Sequence, residues 1–269
     1  MIRGAVLGSP ISHSLSPVLH KSAFAFLGIE GTYSAIDVPS GELKNFVETR
    51  GSEFDYLSLT MPLKEEVLSL GFTADTLTQR IQSGNTLFKS SQEWSLTSTD
   101  GSGLVSALSH AGKTQFNSVL ILGAGGTARA AVGALDSISS NLHVLGRSSV
   151  RQEALESAVV HTHFEYHRWS LDVDFDQYDL VVNTTPAGAA DLLANSVHPG
   201  VRPLLFDVIY KPWPTELAQR WSDCGGEVIN GLELLLYQGI DQLEIVLGQA
   251  VDRHALAEHL RPALKKASR

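Results

Sequence analysis

The chain has 269 residues, 43% of them hydrophobic and 18% charged, which is the balance of a folded globular protein long enough for two domains with separate cores. With 29 acidic against 20 basic residues the formal net charge is −9, which argues against nucleic acid or an anionic membrane surface as the main partner. Cys224 is the only cysteine and no apolar run reaches the length of a membrane span, so an internal disulfide is excluded and a reducing, cytoplasmic setting without a membrane is expected.

Apolar runs bounded by Gly, Pro and Asp alternate with helical-period segments, the pattern of α/β layers around mostly parallel sheets. In the first hundred residues the predicted strands are "RGAVLG", "TYSAIDV", "DYLSLT", "NTLFKS" and "EWSLTS", with helices after Ser16, Ser40 and Pro62. In "SPISHSLSP", Ser16 followed by Pro17 reads as an N-cap and first helical residue, while Ser14 and Ser16 together can hold a carboxylate at a helix N-terminus. In "SLTMPLKEEV", Pro62 suits a first helical position and Glu65 and Glu66 are the acids a first turn favours. Lys64 sits among them, facing the positive end of the helix dipole at a cost of roughly 0.3–1 kcal/mol when exposed. A cation so placed suggests a role in proton transfer.

From "NSVLILGAGG" the rhythm becomes a regular strand-turn-helix series: "SVLILG", "NLHVLG", "THFEYHRW", "DLVVNT", "PLLFDVI" and "GEVING". The G-x-G-x-x-A arrangement of Gly123, Gly125 and Ala128 follows an apolar strand and opens an Ala-rich helix. Glycines there let the backbone approach a pyrophosphate, and the helix N-terminus supplies free N–H donors. An NAD binder usually carries an acid at the end of the next strand; "HVLGRSSVR" instead offers Arg147, Ser148 and Arg151, which suit the 2′-phosphate of NADP. In "HTHFEYH", His161, His163 and His167 are read as alternating side chains of an edge strand, and no metal is expected. From Leu232 the chain reads as two helices ending near Lys265, with no strand following for them to cover, so they are expected to return to the first domain.

Taken in order, "SPISHSLSP", "LTMPLKEEV", "SGNTL", "STDGSG", "LGAGGTARA", "GRSSVR", "DVIYKPWPT" and "GLELLLYQG" resemble the shikimate dehydrogenase family nearly end to end. The resemblance implies a catalytic lysine and aspartate at Lys64 and Asp100. It implies a carboxylate-binding serine pair at Ser14 and Ser16, substrate contacts at Thr60, Asn85 and Gln238, and a tyrosine near the carboxylate at Tyr210. The implied fold is α/β: a substrate domain with a mixed sheet over residues 1–103, completed by 232–269, and a Rossmann-like NADP-binding domain over 104–231, arranged around a cleft.

The expected cofactor set is Gly123, Ala124, Gly125, Gly126, Thr127, Ala128, Arg147, Ser148, Arg151, Asn183, Thr184 and Gly231. The implied activity is NADPH-dependent reversible reduction of 3-dehydroshikimate to shikimate. An NAD-dependent quinate/shikimate dehydrogenase and a catalytically silent NADP-binding sensor are the rival readings, and the oligomeric state stays open, a homodimer included. Ser58, Ser98 and Gly146 stand where the family often has asparagine, which bears on fine substrate and cofactor preference.

Overall fold

A computed structural model describes residues 1–91 and 93–269. The chain divides into two compact units, Met1–Gly103 with Leu235–Arg269, and Leu104–Leu234.

The first unit runs β1 (Ile2–Gly8), α1 (Ser16–Leu27), β2 (Gly31–Asp37), α2 (Leu43–Arg50), β3 (Tyr56–Leu59), α3 (Leu63–Glu66), β4 (Thr73–Ala74), α4 (Thr76–Ile81), β5 (Thr86–Ser90) and β6 (Glu93–Thr97). Its sheet has the order β2-β1-β3-β5-β6-β4 and is mixed, because β5 lies antiparallel to both β3 and β6 while β1, β2 and β3 are parallel. The interior strands β1 and β3 are apolar along most of their length, as strands covered on both faces must be. Leu43 and Phe46 of α2, with Leu63 and Val67 around α3, close one face over Leu57 and Leu87.

Two helix starts differ from the sequence expectation. Leu15 already has helical dihedrals and is the N-cap of α1, so Ser16 is the first helical residue rather than the cap. Ser14 does the capping work instead, its Oγ accepting from the Ser16 N–H at 3.3 Å. At α3 the N-cap is Pro62 itself, which places Lys64 second in the helix. A cyclic residue without an N–H is tolerated there because that donor has no intrahelical partner in any case.

Helix α5 (Asp100–His110) carries the chain into the second unit: β7 (Phe116–Leu122), α6 (Gly126–Leu135), β8 (Ser139–Gly146), α7 (Gln152–Glu156), β9 (His163–Arg168), β10 (Leu180–Asn183), β11 (Leu204–Asp207), α8 (Glu216–Asp223) and β12 (Val228–Asn230). All pairings in this sheet are parallel, in the order β12-β11-β10-β7-β8-β9. The chain starts in the middle at β7, winds out to β9, then returns to β10 and winds the other way. This is the doubly wound dinucleotide-binding order, whose switch point lies between the C-terminal ends of β7 and β10. Trp221 of α8 packs fully buried against Phe175 and donates from its indole to the Pro203 carbonyl at 3.0 Å.

The chain ends with α9 (Gly231–Leu247) and α10 (Arg253–Ala267), of which Leu235–Arg269 belongs to the first unit. There His259 of α10 stacks on Phe26 of α1 with ring centroids 4.6 Å apart. Among the described residues, no helix is long and apolar enough to cross a membrane.

Candidate active site

In the first unit, Lys64 and Asp100 form an ion pair between Nζ and Oδ2, with the side chains 17% and 7% exposed. The lysine arrives on α3 and the aspartate opens α5, where an acid is favoured by the free N–H groups of the first turn. Asp100 is fixed from its other side, because Asn85 Nδ2 donates to Oδ1 at 2.8 Å. Asn85 in turn accepts on Oδ1 from the Thr99 N–H and the Thr86 hydroxyl, each at 2.8 Å. Gly84 N donates to the Lys64 carbonyl at 2.9 Å, which holds α3 beside the segment carrying Asn85. Thr60, half-buried, sits at the β3–α3 turn with its N–H on the Leu7 carbonyl.

Helix α9 delivers Gln238, Asp241 and Gln242 on one face, three and four residues apart. Gln238 Oε1 lies 3.4 Å from Asn85 Nδ2. Gln242 Nε2 donates to the Thr86 hydroxyl at 2.8 Å, and its Oε1 accepts from Ser58 at 2.8 Å. The Ser58 hydroxyl accepts in turn from Tyr33 at 2.6 Å. A buried chain of hydrogen bonds therefore runs from Tyr33 through Ser58, Gln242, Thr86 and Asn85 to the carboxylate of Asp100. Asp241 accepts from Ser102 at 2.5 Å and pairs with Arg253. Sequence reasoning named Asp100, Asn85 and Gln238 but missed Tyr33, Thr86, Thr99 and Gln242, because Tyr33 and Gln242 join the network from elements far along the chain. It did single out Ser58, which the structure accounts for; Ser98 is buried with no hydrogen-bond partner for its Oγ, and nothing in the fold explains it.

In the second unit, Gly123 follows β7 with φ +108°, a conformation that side chains with a Cβ rarely adopt, and a Cβ there would stand 2.6 Å from the Thr184 hydroxyl. That hydroxyl donates to the Leu122 carbonyl at 2.7 Å, so the turns after β7 and β10 are tied across the switch point. Ala124 follows Gly123, and Gly125 is the N-cap of α6 with no side chain bonded to the helix end. The N–H groups of Gly126, Thr127 and Ala128 thus open α6 as an anion cradle. Arg151 lies over it, its Nη1 3.6 Å from where a Gly125 Cβ would be. Arg147, Ser148 and Arg151 are all exposed.

Gly146 leaves room for the ring of Tyr166, whose Oη donates to the Ser148 carbonyl at 2.6 Å and holds the loop after β8. Asn183 is 1% exposed and accepts on Oδ1 from the Thr185 N–H and hydroxyl, so it shapes the turn that presents Thr184. Gly231 is met by the backbone of Val208 and Ile209, a close approach that no larger residue permits. Tyr210 lies three residues past β11, on a loop braced by Asp207, which accepts from Thr215 at 2.7 Å and from the Ile209 N–H at 3.1 Å. Burial pushes the Asp207 carboxyl above its ordinary range.

A doubly wound parallel unit with a glycine cradle and a mixed-sheet unit bearing a partly buried lysine–aspartate pair define an α/β protein of the dinucleotide-dependent oxidoreductase class. The family model for the shikimate dehydrogenase substrate binding domain matches residues 6–87. The chain is 34% identical to shikimate dehydrogenase (NADP(+)) of Methanococcoides burtonii over 253 residues, covering 91% of this chain and 92% of the relative. Its structure is similar to shikimate dehydrogenase of Mycobacterium tuberculosis (TM-score 0.87, 33% identity, 97% of this chain and 100% of that one). It is also similar to shikimate 5-dehydrogenase of Thermus thermophilus in complex with NADP(H) and shikimate (TM-score 0.84, 31% identity, 98% and 100% covered). The chain belongs to the shikimate dehydrogenase family.

Proposed function

We propose that the protein catalyses the NADPH-dependent, reversible reduction of 3-dehydroshikimate to shikimate. The observation that carries this reading is the Lys64–Asp100 pair with Asn85 and Gln238 bonded around it, in a chain whose relatives bear that name. A sensor that only bound the cofactor would have no use for a partly buried ion pair, since withdrawing charges from water has a cost that close partnering must offset.

The residues at the switch point fit a dinucleotide: a turn at φ +108°, a helix start whose N-cap is a glycine, and Arg151 over it. Gly123 through Ala128 would receive the pyrophosphate, and Arg147, Ser148 and Arg151 the 2′-phosphate. Thr184 and Gly231, with Asn183 behind, would shape the nicotinamide side. When bound, the nicotinamide supplies hydride to the carbonyl carbon and accepts it in the reverse direction. The Lys64 ammonium donates a proton to the oxygen as negative charge develops there and becomes the neutral amine, and in oxidation that neutral amine takes the proton from the hydroxyl. Asp100 aims the ammonium, and Asn85 keeps Asp100 from swinging away. Ser14 and Ser16 donate to the substrate carboxylate at the start of α1, and Thr60 and Gln238 serve the ring hydroxyls. A reducing, cytoplasmic setting fits Cys224, which is buried with its Sγ toward the Val197 carbonyl.

The test follows nicotinamide absorbance with shikimate or quinate against NADP or NAD. Turnover should be greatest with shikimate and NADP, and Arg147→Asp should reverse much of the preference for NADP, since an acid repels the phosphate and accepts from a free ribose hydroxyl. No turnover of shikimate with either cofactor would overturn the assignment, and unchanged discrimination in the variant would remove Arg147 from the phosphate site.

A further inference from the structure

Outside this site, one group of histidine and acid side chains among the described residues brings its ligand atoms together: His143 of β8 with Glu165 and His167 of β9. The two strands are parallel, with His143 opposite Glu165 and Leu145 opposite His167. Alternation then sends His143, His163, Glu165 and His167 to one face of the sheet, at its β9 edge. His143 Nδ1 lies 3.2 Å from His167 Nε2, His167 Nε2 lies 3.3 Å from Glu165 Oε2, and His143 Nδ1 lies 3.7 Å from the same oxygen.

Those separations are the size of a metal site. An ion with ligands at about 2.0–2.1 Å in tetrahedral array holds them about 3.3 Å apart. The remaining oxygen of Glu165 is engaged elsewhere, since Oε1 lies 3.0 Å from His163 Nε2. His163 thereby turns Oε2 into the triangle, as outer partners orient ligating carboxylates. Two imidazoles and one carboxylate suit a borderline transition-metal ion rather than calcium or magnesium, which prefer oxygen. The sequence alone does not reveal the group, because Glu165 and His167 lie on one strand while the third ligand, His143, comes from the strand beside it.

We propose that His143, Glu165 and His167 bind one divalent transition-metal ion of the zinc class, fastening the edge strand β9 to β8. The site completes its coordination with water, since its outer side is open: Glu165 and His167 are exposed.

The experiment titrates the untagged, chelator-treated full chain with Zn²⁺ by calorimetry and measures thermal unfolding with and without the ion. Wild type should bind one equivalent and unfold at a higher temperature when saturated. His167→Ala and Glu165→Gln should weaken binding by more than about 10-fold, and His163→Ala by about 10–100-fold through loss of orientation. His143→Gln, which keeps a polar side chain at a half-buried position, should abolish the thermal shift while leaving the metal-free unfolding temperature near normal. The exposed His198→Ala should bind as wild type does. Absence of saturable binding, or binding that survives His143→Gln combined with His167→Ala, would overturn the proposal.

Discussion

At the scale of the residue, Lys64 is defined by its partners. Replacing it with Met keeps much of the stem but removes the charge, so kcat should fall by roughly 10²–10⁴-fold, the range for a lost general acid or base, with a smaller change in shikimate KM. Asp100→Asn should also be slow, and the double variant should lose less than the product of the single losses because the two side chains act as one unit. Steady-state kinetics on the three variants checks this; wild-type kcat in Lys64→Met would leave the lysine without a role. The serine pair divides its work differently from what the Ser-Pro dipeptide suggests. Ser14 supplies the bond to the Ser16 N–H, so Ser14→Ala should cost about 0.5–1 kcal/mol of stability as well as raise KM. Ser16→Ala should affect KM with little change in stability, which urea unfolding alongside kinetics will separate.

Between strands, the loop after β8 and the edge strand β9 work together. Tyr166 occupies the space that a side chain at position 146 would need, and its hydroxyl holds the carbonyl of Ser148. Gly146→Asn should therefore push Tyr166 aside, lowering stability by about 1–3 kcal/mol and loosening the proposed hold of Arg147 and Ser148 on the cofactor. Combining it with Tyr166→Ala should cost less than the sum of the two single changes, because the clash is then removed. Thermal unfolding of the four proteins, with NADP titrations, measures the coupling; strict additivity would mean the two residues are independent. The need for glycine at position 146 is thus set by an aromatic residue twenty positions along the chain.

For the whole molecule, the response to acid is set in part by His20 on α1. It is stacked on Tyr33 with ring centroids 4.0 Å apart and hydrogen-bonded to Tyr56 at 2.8 Å. Burial lowers its pKa from 6.5 to about 3. The unfolded chain therefore binds this proton first, so the stability held by neutral His20 is full above about pH 6.5 and is lost as the pH falls toward about 3, by up to about 1.4 kcal/mol per pH unit. Tyr33 and Tyr56, both pushed upward by burial, stay neutral throughout this window. Asp207 and Asp241, also raised by burial, contribute with the opposite sign, since their stabilisation is lost as pH rises. The contribution of His20 is isolated by comparing wild type with His20→Phe in urea: between about pH 7 and about pH 4 the variant's stability should fall less steeply. Parallel profiles would show that His20 does not titrate on unfolding.

The amino-acid order by itself determined much of this architecture. Apolar runs such as "RGAVLG" and "SVLILG" read as covered strands, and the glycines of "GAGGTA" permit the backbone turn that a cofactor loop requires. These are local facts of period, backbone freedom and burial, and they are legible without knowing what lies opposite. Only the tertiary structure decided which side chains meet. Thr86 and Gln242 join the network behind Asp100 from positions 156 residues apart, Ser14 rather than Ser16 bonds the start of α1, and His143 reaches His167 because β8 and β9 are neighbours in register. Hydrogen bonds and ligand triangles depend on distances of a few ångströms between segments, and those distances come from sheet order and helix packing rather than from spacing along the chain.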